Sequence, residues 1–318
     1  MPAYNAGLYI RESIRSIITQ TYGNWELIIV DDGSKDQTWG IISEFKDSRI
    51  KAIRCDENRG YPFAMNIGIA ESRGKYIARM DADDVSAPER LIQQVGVLEG
   101  AEDYSFVGCI PFFLTPSGVK IFPPARQEQI IVENWFDLVN HRRLFADPSV
   151  MIEKALVLQV GGYRTYQRTG QDVDLWLRVL EMGKPMATLT TPLYGRRLQP
   201  DSLYYSASAK FLNHVPRIEA YKRVGMKVPS ELLENLPDQS RVACWKLQWL
   251  LKLSAFSIEV GDIRGGYNFL YKALHSQMLC SKYMKYLLLG VLQIGLASFR
   301  RFFRKQNLTE IALRYHLF

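Results

Sequence analysis

The sequence predicts an α/β fold, in which a mostly parallel, Rossmann-like sheet is flanked by helices and followed by a C-terminal helical region. Three observations support this prediction. Strand-like and helix-like segments alternate in the first part of the chain, two acidic clusters follow predicted strands, and the last part reads as successive helices. Such an alternation is typical of parallel sheets with helices on both faces, which bind ligands at the carboxyl ends of their strands.

Apolar periodicity defines the elements in order. Leu8–Thr21 carries isoleucines at helical spacing, and the run WELIIV at 25–30 is typical of a buried parallel strand. A capping box at Ser34–Gln37 predicts the start of a helix that ends near Phe45. The next predicted elements are a strand at 50–55, a helix at 61–72 and a strand at 76–80.

Composition excludes several classes of protein. With 318 residues, 47% of them apolar and 23% charged, the chain has an ordinary globular balance. Its 4 cysteines form no CxxC pair, which argues against a structural zinc site and a disulfide framework, and no signal-peptide pattern opens the sequence. We therefore expect a cytoplasmic protein.

The formal net charge of +7 is concentrated at the C-terminal end. Residues 281–318 contain seven Lys and Arg and one acid, Glu310, which leaves a net +6 there and a nearly neutral remainder. This distribution argues against a nucleic-acid partner for the protein as a whole.

The segment MDADD at 80–84 indicates a metal site. Asp81 and Asp83 follow a predicted strand at i and i+2, so their side chains point to the same side and offer two hard oxygen ligands. Such a pair predicts a divalent metal bridging to a phosphate-bearing substrate. The alternative is that the segment only caps the next helix, because Ser86–Glu89 reads as a capping box, but capping leaves Asp81 and Asp83 unexplained.

Asp31 and Asp32 form the second acidic cluster, again at a strand end. In a nucleotide-binding sheet, one such cluster can accept the N–H of a base while the other holds the metal. The sequence contains neither GxxxxGK nor GxGxxG, which argues against P-loop enzymes and cofactor dehydrogenases. Phosphate charge must then be neutralised by a metal rather than by a nest of backbone amides.

The motifs together resemble family 2 glycosyltransferases. The resemblance covers about residues 1–205, in family order and spacing, through PAYN at 2–5, QTYGNWELIIVDDGSKDQT at 20–38, NRGYPFAMNIGIAESRGKYIARMDADD at 58–84, GGYR at 161–164 and QDVDLWLR at 171–178. It implies a GT-A fold, a nucleoside-diphosphate sugar donor that is UDP-linked, a Mg²⁺ or Mn²⁺ ion and inversion at the anomeric carbon.

Carried over to matching positions, the resemblance assigns roles to the donor-side residues. It implies that Pro2 and Tyr4 lie against the nucleobase and that Asp32 accepts the base N–H with Asp31 in support. Asp81 would face the ribose and the metal.

Three further donor-side residues are candidates. The resemblance implies that Asp83 binds the metal, and Arg59 is taken as a nucleotide-sugar contact. For Arg59 and Arg79 two interpretations stay open, in which the guanidinium neutralises phosphate or is simply solvated.

An inverting transfer also needs a base that removes the acceptor proton. The resemblance places this role on Asp172, where the family usually reads glutamate then aspartate and this chain has Gln171 before it. Asp174 is expected in the first turn of the following helix. Gln199 stands where the family often has histidine, which leaves a third contact to the metal or diphosphate open.

We predict two domains. Residues 1–205 form the GT-A domain, whose first strand is missing before PAYN, so that the record is expected to be truncated. Residues 206–318 form a helical region with a basic amphipathic segment at 282–305. Its apolar part, 286–299, is shorter than the ~20 residues that span a bilayer, and predicts either an interfacial helix on an anionic membrane or, with equal weight, a core helix.

The predicted function is a non-processive, inverting sugar transfer to a hydroxyl of a saccharide or lipid-linked glycan. The QxxRW motif of processive synthases is absent from the sequence. Two alternatives remain: transfer to a polyprenyl phosphate, and an inactive nucleotide-sugar-binding scaffold.

Overall fold

The structure, a computed structural model, describes residues 1–100, 102–140, 144–167, 170–199, 214–230, 232, 250–251, 253–258 and 262–274. The strands are β1 (Pro2–Ala3), β2 (Leu27–Asp31), β3 (Ile50–Arg54), β4 (Tyr76–Ala78), β5 (Val85–Ser86), β6 (Phe106–Leu114), β7 (Lys120–Ile121), β8 (Ile130–Glu133), β9 (Met151–Glu153) and β10 (Met186–Arg197). The helices are α1 (Ile10–Ile18), α2 (Thr38–Glu44), α3 (Tyr61–Glu71), α4 (Arg90–Leu98), α5 (Trp135–Val139), α6 (Lys154–Gln159), α7 (Gln171–Leu180), α8 (His214–Arg223) and α9 (Ile263–Leu274).

The strands form two sheets. β1, β2 and β3 pair in parallel, in that order, as the alternating pattern predicts. The second sheet has the order β4-β9-β6-β10-β5, with β7 on β6 and β8 on β10, and it includes antiparallel pairs such as β4 with β9. Every residue of β2 is buried, which explains why its sequence is continuously apolar rather than alternating.

A hydrophobic core holds the parallel sheet to its helices. Helix α1 buries Ile10, Ile14 and Ile17 on one stripe, and these side chains pack with β2 residues such as Leu27 and Ile29. The stripe follows the i, i+4, i+7 spacing that identifies the helix in the sequence. This packing fixes the carboxyl end of β2, where Asp31 lies.

Both predicted capping boxes are wrong. Helix α2 begins only at Thr38, whose amide donates to Asp36, while the Ser34 hydroxyl accepts the amide N–H of Asn5. Helix α4 begins at Arg90, because Ser86 is taken up by the pairing of β5 with β10 and its hydroxyl accepts from the Arg90 guanidinium. In both cases a contact distant in sequence competes with the local cap.

Residue contacts divide the chain into two units. The first comprises Met1–Pro111, Ala125–Arg196 and Pro216–Lys227, and the second comprises Phe112–Pro124, Arg197–Val215 and Val228–Phe318. The division into domains at 205 stays a prediction. The candidate catalytic, nucleotide-sugar and metal residues all belong to the first unit: Pro2, Tyr4, Asp31, Asp32, Arg59, Asp81, Asp83 and Asp172.

Within the second unit, two helical stretches pack closely. Residues 250–251 and 253–258 are helical, and the Ser254 hydroxyl donates to the carbonyl of Gly266 in α9 at 2.7 Å. A Cβ at Gly266 would come within 2.3 Å of the Ile258 side chain, so only glycine permits this approach. Both stretches lie within the predicted helical region 206–318.

The segment 282–305, including the apolar run 286–299, lies outside the described residues. In the part of the chain that the structure describes, no helix is both long enough and apolar enough to cross a membrane.

Candidate active site

The β2 end presents two buried carboxylates. The Asp32 oxygens accept the backbone N–H groups of Arg59 at 3.0 Å and Gly60 at 2.8 Å, and Asp31 Oδ1 accepts the N–H of Ser34 at 3.1 Å. Both acids are almost fully buried. Asp31 therefore accepts a backbone N–H in the turn after β2, in the segment where the sequence predicted capping by Ser34. A carboxylate has about four acceptor sites, so Asp32 can accept a further N–H beside these amides.

Gly33 allows the loop before α3 to approach the end of β2 closely. Its φ is +74°, in the left-handed region, and an added Cβ would lie 2.6 Å from the carbonyl carbon of Glu57 and 2.8 Å from the amide nitrogen of Asn58. A side chain at this position would push the loop before α3 away from Asp32. The glycine of the DDG motif is therefore a geometric requirement of the site.

The PAYN loop lies beside the same strand end. The Asp32 amide donates to the carbonyl of Ala3 at 2.8 Å, and the Asn5 side-chain oxygen accepts the Lys35 amide at 2.9 Å. Pro2 is buried, whereas Tyr4 is 48% exposed and presents its ring at the surface. The structure thus brings Pro2 and Tyr4 next to Asp32, and their contact with a nucleobase stays a prediction.

The NRGY loop connects the two acidic clusters. Arg59 and Gly60 donate their amides to Asp32, and the next residue, Tyr61, donates its hydroxyl to Asp81 Oδ1 at 3.0 Å. Consecutive residues of one loop therefore touch both strand ends. Tyr61 is a site residue that sequence reasoning missed, although it lies inside a motif that carries the family resemblance.

Arg59 itself is exposed. Its guanidinium lies 3.6 Å from the centre of the Phe63 ring, a cation–π contact one turn further along α3. The structure places it beside Asp32 through its backbone only. Its proposed contact with the nucleotide sugar stays a prediction.

The DADD segment divides its acids between two surroundings. Asp81 is 29% exposed, and its amide donates to the Tyr194 hydroxyl at 3.1 Å. Asp84 is buried and accepts from the same hydroxyl at 2.8 Å, so it serves the fold rather than capping α4. Asp83 is half-buried. Tyr194 on β10 therefore holds both ends of the segment.

Asp81 and Asp83 supply a donor set that suits Mg²⁺ or Mn²⁺. These ions are bound by one or two carboxylates together with substrate phosphates and waters, rather than by an all-protein cage. In the part of the chain that the structure describes, no group of three or more His, Cys, Asp or Glu side chains is gathered around one point. The residues fit a metal that is completed by a diphosphate.

Arg79 is the unexpected centre of the site. Only 5% of its side chain is exposed, and its guanidinium lies 3.1 Å from Asp172 Oδ1 and 3.4 Å from Asp81 Oδ1. Its Nε donates to the Tyr61 hydroxyl. The sequence interpretations of Arg79, as a phosphate ligand or a solvated cation, did not include this ion pair. The solvated interpretation is wrong, because the side chain is buried.

The electrostatics of this cluster follow from burial and charge. Burial opposes the charged guanidinium, but the carboxylates of Asp172 and Asp81 outweigh it and raise the pKa of Arg79 well above its ordinary value. Burial likewise raises the pKa of the Tyr61 and Tyr163 hydroxyls well above theirs. The cluster consists of a permanent cation, two carboxylates and two neutral phenols.

Asp172 lies in the first turn of α7, with 14% of its side chain exposed. The positive end of a helix dipole favours a carboxylate there, and Arg79 adds a full positive charge. Asp174, two residues on, is fully buried and paired with Arg178 at 2.8 Å and Arg164 at 3.1 Å. The helix thus directs one acid to the site and the other to its own anchoring.

The GGYR loop is held against α3 by residues without a predicted role. The Asn66 side chain accepts the N–H of Tyr163 at 2.9 Å and donates to its carbonyl at 2.7 Å. Gly162 has a φ of +67°, and an added Cβ would lie 2.9 Å from the Asn66 side-chain oxygen. Tyr163 packs edge-on against Tyr61. The paired glycines and Asn66 are visible in the motifs, but their partnership is not.

Gln199 stands where the resemblance left a third contact to the metal or diphosphate open. It is half-buried and belongs to the second unit. A third protein contact to a metal or diphosphate stays open.

Comparisons with known proteins agree with this geometry. The family model described as Glycosyl transferase family 2 matches residues 1–156. A putative glycosyltransferase, EpsE of Bacillus subtilis (strain 168), is 34% identical over 210 residues, which cover 64% of this chain and 73% of EpsE.

A second relative is the UDP-Glc:alpha-D-GlcNAc-diphosphoundecaprenol beta-1,3-glucosyltransferase WfgD of Escherichia coli. It is 40% identical over 98 residues, which are 31% of this chain and only 39% of WfgD.

Among solved structures, S. aureus TarS 1–349 in complex with UDP-GlcNAc superposes with a TM-score of 0.56 at 13% identity, over 99% of this chain and 90% of TarS 1–349. At that identity the likeness concerns the fold, which agrees with the predicted GT-A class. The extent and identity of the EpsE match, with the family model, lead to one conclusion: the chain belongs to glycosyltransferase family 2 and is a glycosyltransferase.

Proposed function

We propose that this glycosyltransferase transfers a sugar from a UDP-linked donor to a hydroxyl of a saccharide or lipid-linked glycan, with inversion at the anomeric carbon. One observation carries the proposal. Asp81 of the DADD segment and Asp172 of α7, which are far apart in sequence, both lie within 3.4 Å of the same buried guanidinium. A donor-side carboxylate and an acceptor-side carboxylate therefore share one small site.

The donor side is built from the ends of β1 and β2. The exposed Tyr4 ring offers a stacking surface for a nucleobase, and Asp32 retains acceptor capacity for a base N–H. Support for a uridine nucleotide comes from the similar proteins, since TarS has been solved with UDP and with UDP-GlcNAc and the name of WfgD specifies UDP-Glc.

Asp81 and Asp83 are the residues that would hold Mg²⁺ or Mn²⁺. A bound ion would neutralise the charge that develops on the diphosphate as it leaves. Tyr61 and Arg79 orient Asp81 from the protein side, through the 3.0 Å hydroxyl contact and the 3.4 Å ion pair. The fixed direction of this carboxylate is what a metal bound together with a substrate phosphate requires.

Asp172 is the proposed base. As the acceptor oxygen attacks the anomeric carbon, its proton passes to an Asp172 oxygen, the bond from that carbon to the diphosphate oxygen breaks, and the electron pair leaves with UDP. The N-terminus of α7 and the Arg79 guanidinium both place positive charge beside Asp172, which favours its carboxylate form. The substitution of Gln171 for the usual glutamate removes a like charge beside it.

Calorimetric titration with UDP tests the donor side. We expect UDP to bind in Mn²⁺ and to lose at least about tenfold in affinity in EDTA or in Asp83→Asn, a change of roughly 1.4 kcal/mol. Asp103→Asn is the matched control, since Asp103 is 75% exposed and forms a surface ion pair with Lys184. UDP binding of equal strength with and without metal would contradict the proposed metal site.

The basic segment 282–305 adds a proposal about location, supported by sequence alone. Its Lys and Arg residues flank an apolar run, which suits peripheral contact with an anionic membrane. Flotation with phosphatidylglycerol vesicles should show binding that weakens in high salt. Binding that persists after removal of 281–318, or that ignores salt, would contradict it.

A further inference from the structure

We propose that Arg79 is the positioning residue of the transfer reaction, holding the base Asp172 and the donor-side carboxylate Asp81 in register with one guanidinium. The proposal rests on the proposed function and adds to it a role for Arg79 that the sequence interpretation did not include. It rests on three observations: how Arg79 is fixed, what it touches, and how little water reaches it.

The backbone of Arg79 is fixed from both sides. Its amide donates to the carbonyl of Val150 at 2.9 Å, and its own carbonyl accepts from the buried Arg90 guanidinium at 2.6 Å. Arg90 is in turn anchored by Gln94 and Ser86 at 3.0 Å each. Arg79 therefore projects its side chain from a rigid base at the end of β4.

The guanidinium has a separate partner on each side. Nη1 lies 3.1 Å from Asp172 Oδ1, Nη2 lies 3.4 Å from Asp81 Oδ1, and Nε donates to the Tyr61 hydroxyl, which itself donates to Asp81. The planar fork of arginine suits this arrangement, whereas the ammonium of lysine is a single point charge. One residue thus fixes the separation of the two catalytic carboxylates.

The surroundings make the ion pairs strong. Arg79 is 5% exposed and Asp172 14%, so water screens their attraction poorly. The charged and titratable groups around Arg79 include Asp172, Asp81, Tyr61 and Tyr163, together with the Arg90 guanidinium and the N-terminal amine of Met1. Burial keeps both phenols neutral, so Asp172 and Asp81 supply the carboxylates that face the Arg79 guanidinium.

Kinetics of two substitutions test the proposal. With UDP-GlcNAc or UDP-Glc as donor, Arg79→Met should lower kcat by about 10- to 100-fold, the loss expected from a misplaced catalytic group. In EDTA, where UDP binding does not depend on a metal at Asp81, the same change should leave UDP affinity within about threefold. Arg79→Lys should recover part of the loss in kcat. If Arg79 served instead as a diphosphate ligand, Arg79→Met would weaken UDP binding in EDTA at least about tenfold, and that result would overturn the proposal.

A double-mutant cycle separates positioning from simple structural support. Because Arg79 acts through Asp172, Arg79→Met should cost about threefold or less in kcat when Asp172 is already asparagine. Full additivity of the two losses would refute the proposal. This double variant also removes a cation and an anion together, so it remains informative if Arg79→Met alone does not fold.

The pH profile supplies a readout that a structural role would not move. Since Arg79 stabilises the ionised form of Asp172, its removal should shift the acidic limb of the kcat profile to higher pH. Arg178→Met, which removes a buried guanidinium paired with Asp174 on the same helix, should lower thermal stability without moving that limb. An unmoved limb in Arg79→Met counts against the proposal, whereas Arg79→Lys keeps the positive charge and should shift the limb less.

The wild-type chain and Asp172→Asn run in parallel test the proposed function by themselves. A transferase that depends on Asp172 but is indifferent to Arg79 would refute only the role of Arg79. The two failures are therefore distinguishable.

Discussion

At the residue scale, a few polar side chains each make several of the hydrogen bonds that hold the site together. The Tyr61 hydroxyl accepts from Arg79 and donates to Asp81, and the Tyr194 hydroxyl joins the Asp81 amide to Asp84. Burial keeps both phenols neutral, so each remains a donor across the physiological pH range. Asp81 is thus held by side chains from α3 and β10.

Tyr61→Phe should separate these roles. The change removes the hydroxyl that accepts from Arg79 Nε. A buried donor left without its acceptor costs about 1–3 kcal/mol in the free energy of unfolding. It also removes the donor to Asp81, so we expect weaker Mn²⁺-dependent UDP binding. Urea unfolding and calorimetry measure the two effects. Unchanged stability together with unchanged UDP affinity would contradict the described contacts.

At the element scale, loops rather than strands join the site. The NRGY loop touches both acidic clusters, and the DDG turn makes room for it because Gly33 carries no side chain. These contacts depend on close backbone approach, so they should respond to a single added methyl group.

Gly33→Ala should therefore be severe. The left-handed backbone costs alanine roughly 1–2 kcal/mol, and the 2.6 Å approach to Glu57 adds a clash with backbone that must move. We expect lower thermal stability and loss of UDP binding. The control is Gly40→Ala in α2, where nothing lies within 4 Å and alanine should raise stability by up to about 1 kcal/mol. Equal behaviour of the two variants would refute the requirement at Gly33.

The order of these elements could be predicted from sequence, whereas several of their contacts could not. The apolar WELIIV run predicts a buried strand, and the isoleucine stripe of α1 predicts a helix face that packs on the core. The position of the acids at strand ends follows from the alternation of strands and helices. The predicted helix caps at Ser34 and Ser86 do not form, because the Ser34 hydroxyl accepts from the Asn5 amide and Ser86 pairs with β10. The partners of Arg79 escaped because ion pairing across distant segments leaves no local pattern.

At the scale of the whole molecule, one buried acid ties separate segments of the first unit together. Asp174 on α7 pairs with Arg178 on the same helix, with Arg164 after the GGY turn and, at 3.7 Å, with Arg223 on α8. The side chain is fully buried, so the three guanidinium groups replace the water it loses. This network holds the helix that carries Asp172.

Asp174→Asn should destabilise the protein strongly. Removing one partner of a buried ion pair costs about 3–5 kcal/mol, and here the buried Arg178 guanidinium would lose its carboxylate partner, whereas Arg164 and Arg223 would keep Glu219 and Glu181. Asp172→Asn, on the same helix turn but partly exposed, should cost much less. Chemical denaturation of both variants measures the difference, and a similar midpoint for the two would contradict the anchoring role of Asp174.

The central claim is that Asp172 is the base of a sugar transfer from a nucleotide sugar. The most direct test measures UDP release from UDP-GlcNAc and UDP-Glc, in Mn²⁺ and with saccharide acceptors, by the wild-type chain and by Asp172→Asn. We predict that turnover falls by about 10²–10⁴ in the variant while its UDP affinity is unchanged. Full turnover by Asp172→Asn would contradict the claim, and absence of turnover by the wild-type chain with any nucleotide sugar would favour a binding scaffold.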